Sequence, residues 1–95
     1  DYLDAANFAI GGIAMHSRPI AVFCYFDKDG NVKPIRFKLD EDNLEHVASI
    51  EHFIIKAKNN IRIEFACNVL MNNIKHQCEI WYFKQEPHWM LYSMK

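Results

Sequence analysis

The chain shows its first clear structural pattern at residues 20–26, which are apolar throughout and rich in β-branched and aromatic side chains. Such a run predicts a strand covered on both faces. Residues 35–39 instead alternate between apolar and charged, which is the period of a half-buried strand. Residues 27–31 lie between the two runs and contain Gly30, which takes positive φ without strain. The pattern predicts a hairpin with a three- or four-residue loop, and Pro34 fits an edge position or a strand start because it lacks an N–H donor.

A second hairpin is predicted more sharply. Residues 61–69 alternate strictly between apolar and polar, residues 74–83 form another β-rich run, and Asn72-Asn73 lies between the runs. Asparagine tolerates the positive φ values that a two-residue type I′ turn requires. With that turn, the predicted cross-strand partners are Cys67 and Cys78, Phe65 and Ile80, and Val69 and His76. Residues 89–94 are predicted to form a last short strand.

Residues 40–58 allow two interpretations. As a helix, the segment would be capped by Asp42 with Glu45 three residues later, but Glu51 would fall in the middle of its apolar stripe. As a strand, the segment alternates apolar and polar residues, and this alternation shifts by one residue near Glu51 and His52. A β-bulge produces such a shift. Since bulges bend sheets toward closure, we favour a bent strand.

The first part of the chain is the least defined by its pattern. Residues 4–10 are compatible with two helical turns, and a short strand at 13–15 is equally allowed. The whole chain, 1–95, is therefore predicted to be a single domain. It is mainly β, an antiparallel meander of about five strands in residues 19–95 that curls toward an open barrel or roll. Residues 1–18 form a short N-terminal helix or arm.

Composition supports a folded chain and restricts its partners. Hydrophobic residues make up 51% of the 95 residues and aromatic residues 14%, which excludes intrinsic disorder. Eleven basic residues against twelve acidic ones leave a net charge of -1. Proteins that bind a nucleic-acid backbone neutralise phosphates and usually show a basic excess, so the charge balance disfavours nucleic acid as a partner.

Cysteine usage and hydropathy indicate a cytoplasmic protein. Three cysteines, Cys24, Cys67 and Cys78, each lie in an apolar strand-like run. This odd number favours buried thiols in a reducing compartment over a disulfide framework. No apolar run approaches the ~20 residues of a membrane helix. Asp1 and Asp4 stand where a signal peptide would be basic, so we expect neither a membrane span nor a signal peptide.

The first hairpin has a familiar sequence. Residues 22–30, followed by Pro34-Ile35-Arg36-Phe37, resemble a set of small uncharacterised proteins of Gram-positive bacteria. Those proteins share an aromatic-Asp-Lys-Asp-Gly turn, a Pro-Ile-Arg-Phe strand, an Asn-containing hairpin and a Trp-containing last strand. The resemblance covers roughly residues 19–95 and implies a strand for residues 46–57, but it implies no activity. The chain departs from that pattern at Asn73, where Gly is usual, and at residues 85–88, which replace a shorter polar stretch.

Two arrangements suggest metal chemistry and fail on spacing. The segment from Asp27 to Asn31 is similar to the start of a calcium loop, but its Gly comes too early and Lys38 stands where a bidentate Glu is required. A plain β-turn is therefore favoured. Cys67 and Cys78 with His76 could suggest a metal site, but such a site needs three or four converging ligands and no Cys-x-x-Cys or His-x-x-x-His spacing occurs. We predict buried thiols, no metal site and no cofactor.

One nucleophile–base pair remains conceivable. The five histidines are His16, His46, His52, His76 and His88. On an extended strand, Cys78 and His76 share a face, so a small thiol enzyme is a third possibility beside the two below. A histidine next to a strand is more often a surface or hydrogen-bonded residue, and no serine elbow, phosphate loop or paired acidic motif is present.

The strongest functional candidates are aromatic. In the predicted register Trp81 and Phe83 share a face with Arg62 and Glu64. If that face remains exposed to solvent, it forms an aromatic patch of the kind that usually marks a contact surface. If the sheet curls into a barrel, or residues 1–18 cover the face, the rings belong to the core, which is the interpretation we favour.

The sequence thus predicts no catalytic residues. The leading hypothesis is a non-enzymatic protein-interaction module, self-associating through residues 1–18 or through an uncovered sheet edge. The alternative is an accessory single-stranded nucleic-acid-binding domain that uses Trp81, Phe83, Arg62 and Lys84, because base stacking also employs aromatic side chains.

Overall fold

Eight antiparallel strands account for most of the described part of the chain. The computed structural model describes residues 9–10, 13–14 and 17–95, and no helix occurs among them. The strands are β1 (Ala9–Ile10), β2 (Ile13–Ala14), β3 (Arg18–Phe26), β4 (Val32–Glu41), β5 (Leu44–Lys58), β6 (Arg62–Met71), β7 (Ile74–Phe83) and β8 (His88–Met94). β1 and β2 pair with each other, and β3 to β8 form a closed barrel in chain order.

The predicted mainly-β antiparallel meander is confirmed, with six strands in the barrel instead of about five. The barrel closes because β3 pairs with β8, where Arg18 lies opposite Leu91 and Ile20 opposite Trp89. The helix predicted for residues 4–10 lies mostly outside the described residues, and its last two residues form β1. The alternative strand at 13–15 corresponds to β2 as far as it is described.

The second hairpin has the predicted turn and register. Asn72 and Asn73 both take positive φ, 54° and 65°, as a type I′ turn requires. Cys67 lies opposite Cys78, as predicted. The other two predicted pairs are also present, Phe65 with Ile80 and Val69 with His76.

The segment 40–58 is a strand, and the helix interpretation is wrong. Asp42 does not cap a helix; together with Asn43 it forms another turn with positive φ, 53° and 61°, that leads into β5. The predicted slip is present, because the β5–β6 register shifts between Ile50 and His52 and leaves Glu51 as the extra residue. A second shift, which leaves Lys56 extra, was not predicted.

The first hairpin closes on the shorter of the two predicted loops. The Asp27 N–H donates to the Asn31 carbonyl at 2.9 Å, so three residues, 28–30, lie between them, and Gly30 has a φ of 84°. Pro34 lies opposite Cys24 beside a register shift. The β4–β5 ladder ends at Arg36, so Pro34 has no partner on the β5 side of β4, which is consistent with the predicted edge position.

The inner wall of the barrel carries the core. Its buried apolar residues are Val32, Phe37, Leu39, Ala48, Ile63, Phe65, Cys67, Val69, Cys78, Ile80, Trp89, Leu91 and Met94. β3 contributes Val22 and Cys24 to this core, but Phe23 and Tyr25 on its outer face are 47% and 50% exposed. The prediction that residues 20–26 are covered on both faces is therefore wrong, because a single-layer barrel covers a strand on one side only.

Candidate functional site

All four predicted surface residues meet on the outer wall of the barrel. In the β6–β7 register Glu64 lies opposite Trp81, and Arg62 lies opposite Phe83. Ile80, which comes directly before Trp81, is fully buried, so alternation along β7 turns the neighbouring indole outward. The interpretation in which barrel closure takes these rings into the core does not hold, since both are half-buried on the opposite side of the sheet.

The indole of Trp81 is held between two neighbouring side chains. The Cζ atom of Arg62 lies 4.1 Å from the ring centroid, and the Tyr92 ring is stacked on it with a centroid distance of 3.8 Å. Two groups this close to one centroid cannot share the same side of a ring. Arg62 from β6 and Tyr92 from β8 therefore cover opposite faces of the indole.

The edges of this cluster are fixed by carboxylates. Trp81 Nε1–H donates to Glu79 Oε2 at 2.6 Å, and Arg62 Nε–H donates to Glu64 Oε2 at 2.7 Å. Lys56 Nζ donates to the other Glu79 oxygen at 2.7 Å. This hydrogen bond, together with the charge of Glu79, raises the pKa of Lys56 and keeps it cationic.

Phe83 extends the cluster toward the end of β7. Its ring centroid lies 6.1 Å from that of Trp81, and it stacks on the His88 ring at 4.8 Å with an interplanar angle of 9°. We call the whole group the Trp81 array: Arg62, Glu64, Glu79, Trp81, Phe83, His88 and Tyr92. Its side chains hold one another in place without entering the barrel core.

Tyr92 and Lys84 lie on or beside the same wall. Tyr92 lies on β8 two residues beyond Met90, the direct partner of Trp81, and the register shift between Glu79 and Ile80 leaves Tyr92 without a direct partner on β7. Lys84, which the nucleic-acid hypothesis includes, follows β7, and its backbone N–H donates to the Ile61 carbonyl at 2.9 Å. Lys84 therefore borders the array, to which it is joined through the backbone at Ile61.

A second aromatic surface lies on the outer face of β3. Phe23 and Tyr25 alternate with inward residues, and the Arg36 Cζ atom lies 4.4 Å from the Phe23 ring centroid. Lys38 Nζ is 5.9 Å from the same centroid. Unlike the Trp81 array, these rings stay about half exposed, and their charged neighbours are cationic.

The cysteine pair is structural. Cys67 and Cys78 are 4% and 7% exposed, although they border a shallow outer groove of about 370 Å³. All three cysteines are free. A hydrogen bond to Cys67 and burial raise the pKa of Cys78 far above its ordinary value, so the thiol is neutral. His76 shares its face, as predicted, but a neutral, buried thiol is a poor nucleophile.

The Asp27 carboxylate serves its own turn. Its Oδ1 accepts the backbone N–H groups of Asp29 and Asn31, both at 2.9 Å, and its Oδ2 accepts the Asn31 side-chain amide at 3.2 Å. Lys33 Nζ lies 4.0 Å away. The hydrogen bond from the Asn31 backbone contributes most to lowering the pKa of Asp27. These contacts describe a plain β-turn.

We expect Asp27 to make this turn sensitive to acid. Because its folded-state pKa lies below the ordinary 3.8, its stabilisation is complete above that value and is lost as the pH falls through the lowered pKa. Urea unfolding at several pH values should show Asp27→Asn less stable than wild type near pH 6, with the difference shrinking below pH 4. Asp29→Asn removes a charge from the same turn and keeps the Asp27 bonds, so it should retain the wild-type acid slope. An Asp27→Asn variant with an unchanged acid slope would contradict the assignment.

With this geometry established, comparison with protein-family models, curated proteins and solved structures finds no match to the chain. In the part of the chain that the structure describes, no helix is long and apolar enough to cross a membrane.

Proposed function

We propose that this barrel is a non-enzymatic protein-interaction module of the cytoplasm and that the Trp81 array is its contact surface. The observation that carries the proposal is the position of Trp81. A tryptophan on the outer wall contributes nothing to the barrel core, yet it is held by a cation, a carboxylate and a stacked tyrosine. The three free thiols support a reducing compartment.

The composition of the array matches that of binding hot spots. Trp, Tyr and Arg are the residues enriched where truncation most weakens protein–protein binding. Trp81, Tyr92 and Arg62 are already locked by their mutual contacts, so binding would immobilise few additional rotamers. Pre-organisation of this kind raises affinity by lowering the entropy lost on association.

The same geometry argues against single-stranded nucleic acid. Base stacking requires an open aromatic face, and Arg62 and Tyr92 cover both faces of Trp81. The carboxylates of Glu64 and Glu79 lie beside the ring and would repel phosphates. Arg62, the cation nearest to the indole, is already paired with Glu64.

The first step of the test identifies a protein that binds at the Trp81 array. A photo-reactive phenylalanine at Met90, which lies opposite Trp81, should cross-link one protein in cells that express this chain. The same group at Leu44, which is 61% exposed beside the Asp42-Asn43 turn, should not. The cross-linked protein is then purified for direct titration.

In that titration, Trp81→Ala should weaken binding at least about 30-fold, which is the loss expected of a hot spot. Tyr25→Ala truncates an exposed aromatic ring on a different strand and should change the Kd less than threefold. Circular dichroism checks that both variants are folded. The proposal fails if Trp81→Ala binds as tightly as wild type. It also fails if single-stranded DNA quenches the tryptophan fluorescence of wild type but not of Trp81→Ala, with a steep dependence on salt, because that result selects the nucleic-acid alternative.

A further inference from the structure

One half of β5 lacks a neighbour on its β4 side. The β4–β5 register ends where Arg36 lies opposite Ser49, whereas β5 continues along β6 to Lys58, opposite Ile63. Among the described residues, positions 50–58 therefore pair with β6 alone. A strand edge of this kind presents a row of N–H and C=O groups that can pair with another strand.

The register shows which residues direct those groups outward. Met71 and Ile74 close the two-residue Asn72-Asn73 turn as a hydrogen-bonded pair. Every second residue of β6, counted back from Met71 to Ile63, therefore also directs its backbone N–H and C=O groups to β7. The β5 residues opposite them direct their backbone groups away from β6. These are Ile50, Phe53, Ile55 and Lys58, opposite Val69, Cys67, Phe65 and Ile63.

This set is symmetric about Ile54. Ile50 and Lys58 are equally far from it along the chain, and so are Phe53 and Ile55. The symmetry arises because the register shifts at Glu51 and Lys56 each insert one residue. An antiparallel second copy centred on Ile54 therefore aligns all four outward-directed positions with their counterparts.

The side chains of the edge suit the same arrangement. Ile54 and Ile55 are 57% and 49% exposed. Glu51 lies near one end of the segment and Lys58 at the other, so an antiparallel copy brings each Glu51 beside the opposite Lys58. A parallel copy would instead bring like charges together, which is destabilising.

We infer that this edge pairs with a second copy of the chain, antiparallel and two-fold symmetric about Ile54. Ile54 then packs against its own copy, Phe53 pairs with Ile55, and Ile50 pairs with Lys58. The sheet becomes continuous from one barrel to the next. The inference goes beyond the proposed function and does not depend on it, because the outward-directed residues lie outside the Trp81 array.

The test measures self-association by sedimentation equilibrium from about 1 μM to 1 mM. Wild type should shift from monomer to dimer across this range. Ile54→Lys removes two isoleucines from the buried contact and places two cations on the symmetry axis, so it should weaken dimerisation at least about 100-fold. Ile74→Lys is the matched control, since Ile74 is 59% exposed and lies on β7, which β6 separates from β5, and it should dimerise like wild type.

Exchanging the charges of Glu51 and Lys58 distinguishes this antiparallel pairing from non-specific hydrophobic association. Glu51→Lys and Lys58→Glu should each weaken the dimer about fivefold, in the range of exposed ion pairs, and the double variant should return to within threefold of wild type. A protein that stays monomeric to 1 mM, or an Ile54→Lys variant that dimerises normally, overturns the inference. If Trp81→Ala dissociates the dimer and Ile54→Lys does not, the dimer uses the array instead. Partner titration tests the proposed function independently of either result.

Discussion

Phe65→Ala is expected to lower the free energy of unfolding by roughly 3–5 kcal/mol, which is typical of removing a buried phenylalanine. Phe65 is fully buried on β6. Its ring contacts Phe53 edge-on at 5.3 Å and lies 5.6 Å from the Trp89 ring, so it connects the walls formed by β5 and β8. Alanine leaves a cavity between strands that cannot collapse without opening the barrel.

The expected loss for Phe65→Ala is a large fraction of the total free energy of unfolding. At about 0.05–0.15 kcal/mol per residue, a chain of 95 residues is stabilised by roughly 5–14 kcal/mol. Urea unfolding followed by circular dichroism measures the difference. Phe23→Ala makes the same substitution on the exposed outer wall and should lower stability by about 1 kcal/mol or less. Equal losses in the two variants would show that Phe65 does not occupy the centre of the core.

Local sequence predicted the parts of the fold that local geometry determines. Asn72-Asn73 fixed the length of the turn, and the turn length then determined every partner along β6 and β7. The slip near Glu51 was visible because the apolar phase changes there. The same register correctly brought Trp81, Phe83, Arg62 and Glu64 together.

Long-range closure was not predictable in the same way. β3 pairs with β8 over three residues, and no turn connects these strands to reveal their register. The exposure of Phe23 and Tyr25 follows from that closure, since a one-layer wall leaves one side of an apolar strand outside. The stacking of Tyr92 on Trp81 is a diagonal contact between β8 and β7, and the register between these two strands was not predicted.

Cys67 and Cys78 are expected to react with a thiol reagent at least about 1000-fold more slowly in the native protein than in the urea-unfolded chain. Only the thiolate reacts, and the hydrogen bond to Cys67 together with burial raises the pKa of Cys78. Access also requires opening of the barrel. At the lower limit of roughly 5 kcal/mol, opening alone slows labelling by more than three powers of ten.

The measurement uses Cys24→Ser, which leaves only the buried pair, and follows labelling of each site by mass spectrometry at one pH. Labelling of Cys78 within tenfold of the unfolded rate would mean that the outer groove admits the reagent to an ionised thiol. The thiol-enzyme hypothesis, with His76 as base, would then replace the interaction module.

Phe65→Ala connects this experiment to the first one. If labelling requires global opening, the loss of roughly 3–5 kcal/mol should accelerate labelling of the pair by about 100-fold or more, in step with the change in the free energy of unfolding. Phe23→Ala should leave the labelling rate within about fivefold of wild type. If the labelling rate of Phe65→Ala equals that of wild type, the reagent reaches Cys78 through the groove and not through unfolding. Cys78 would then be accessible in the native barrel.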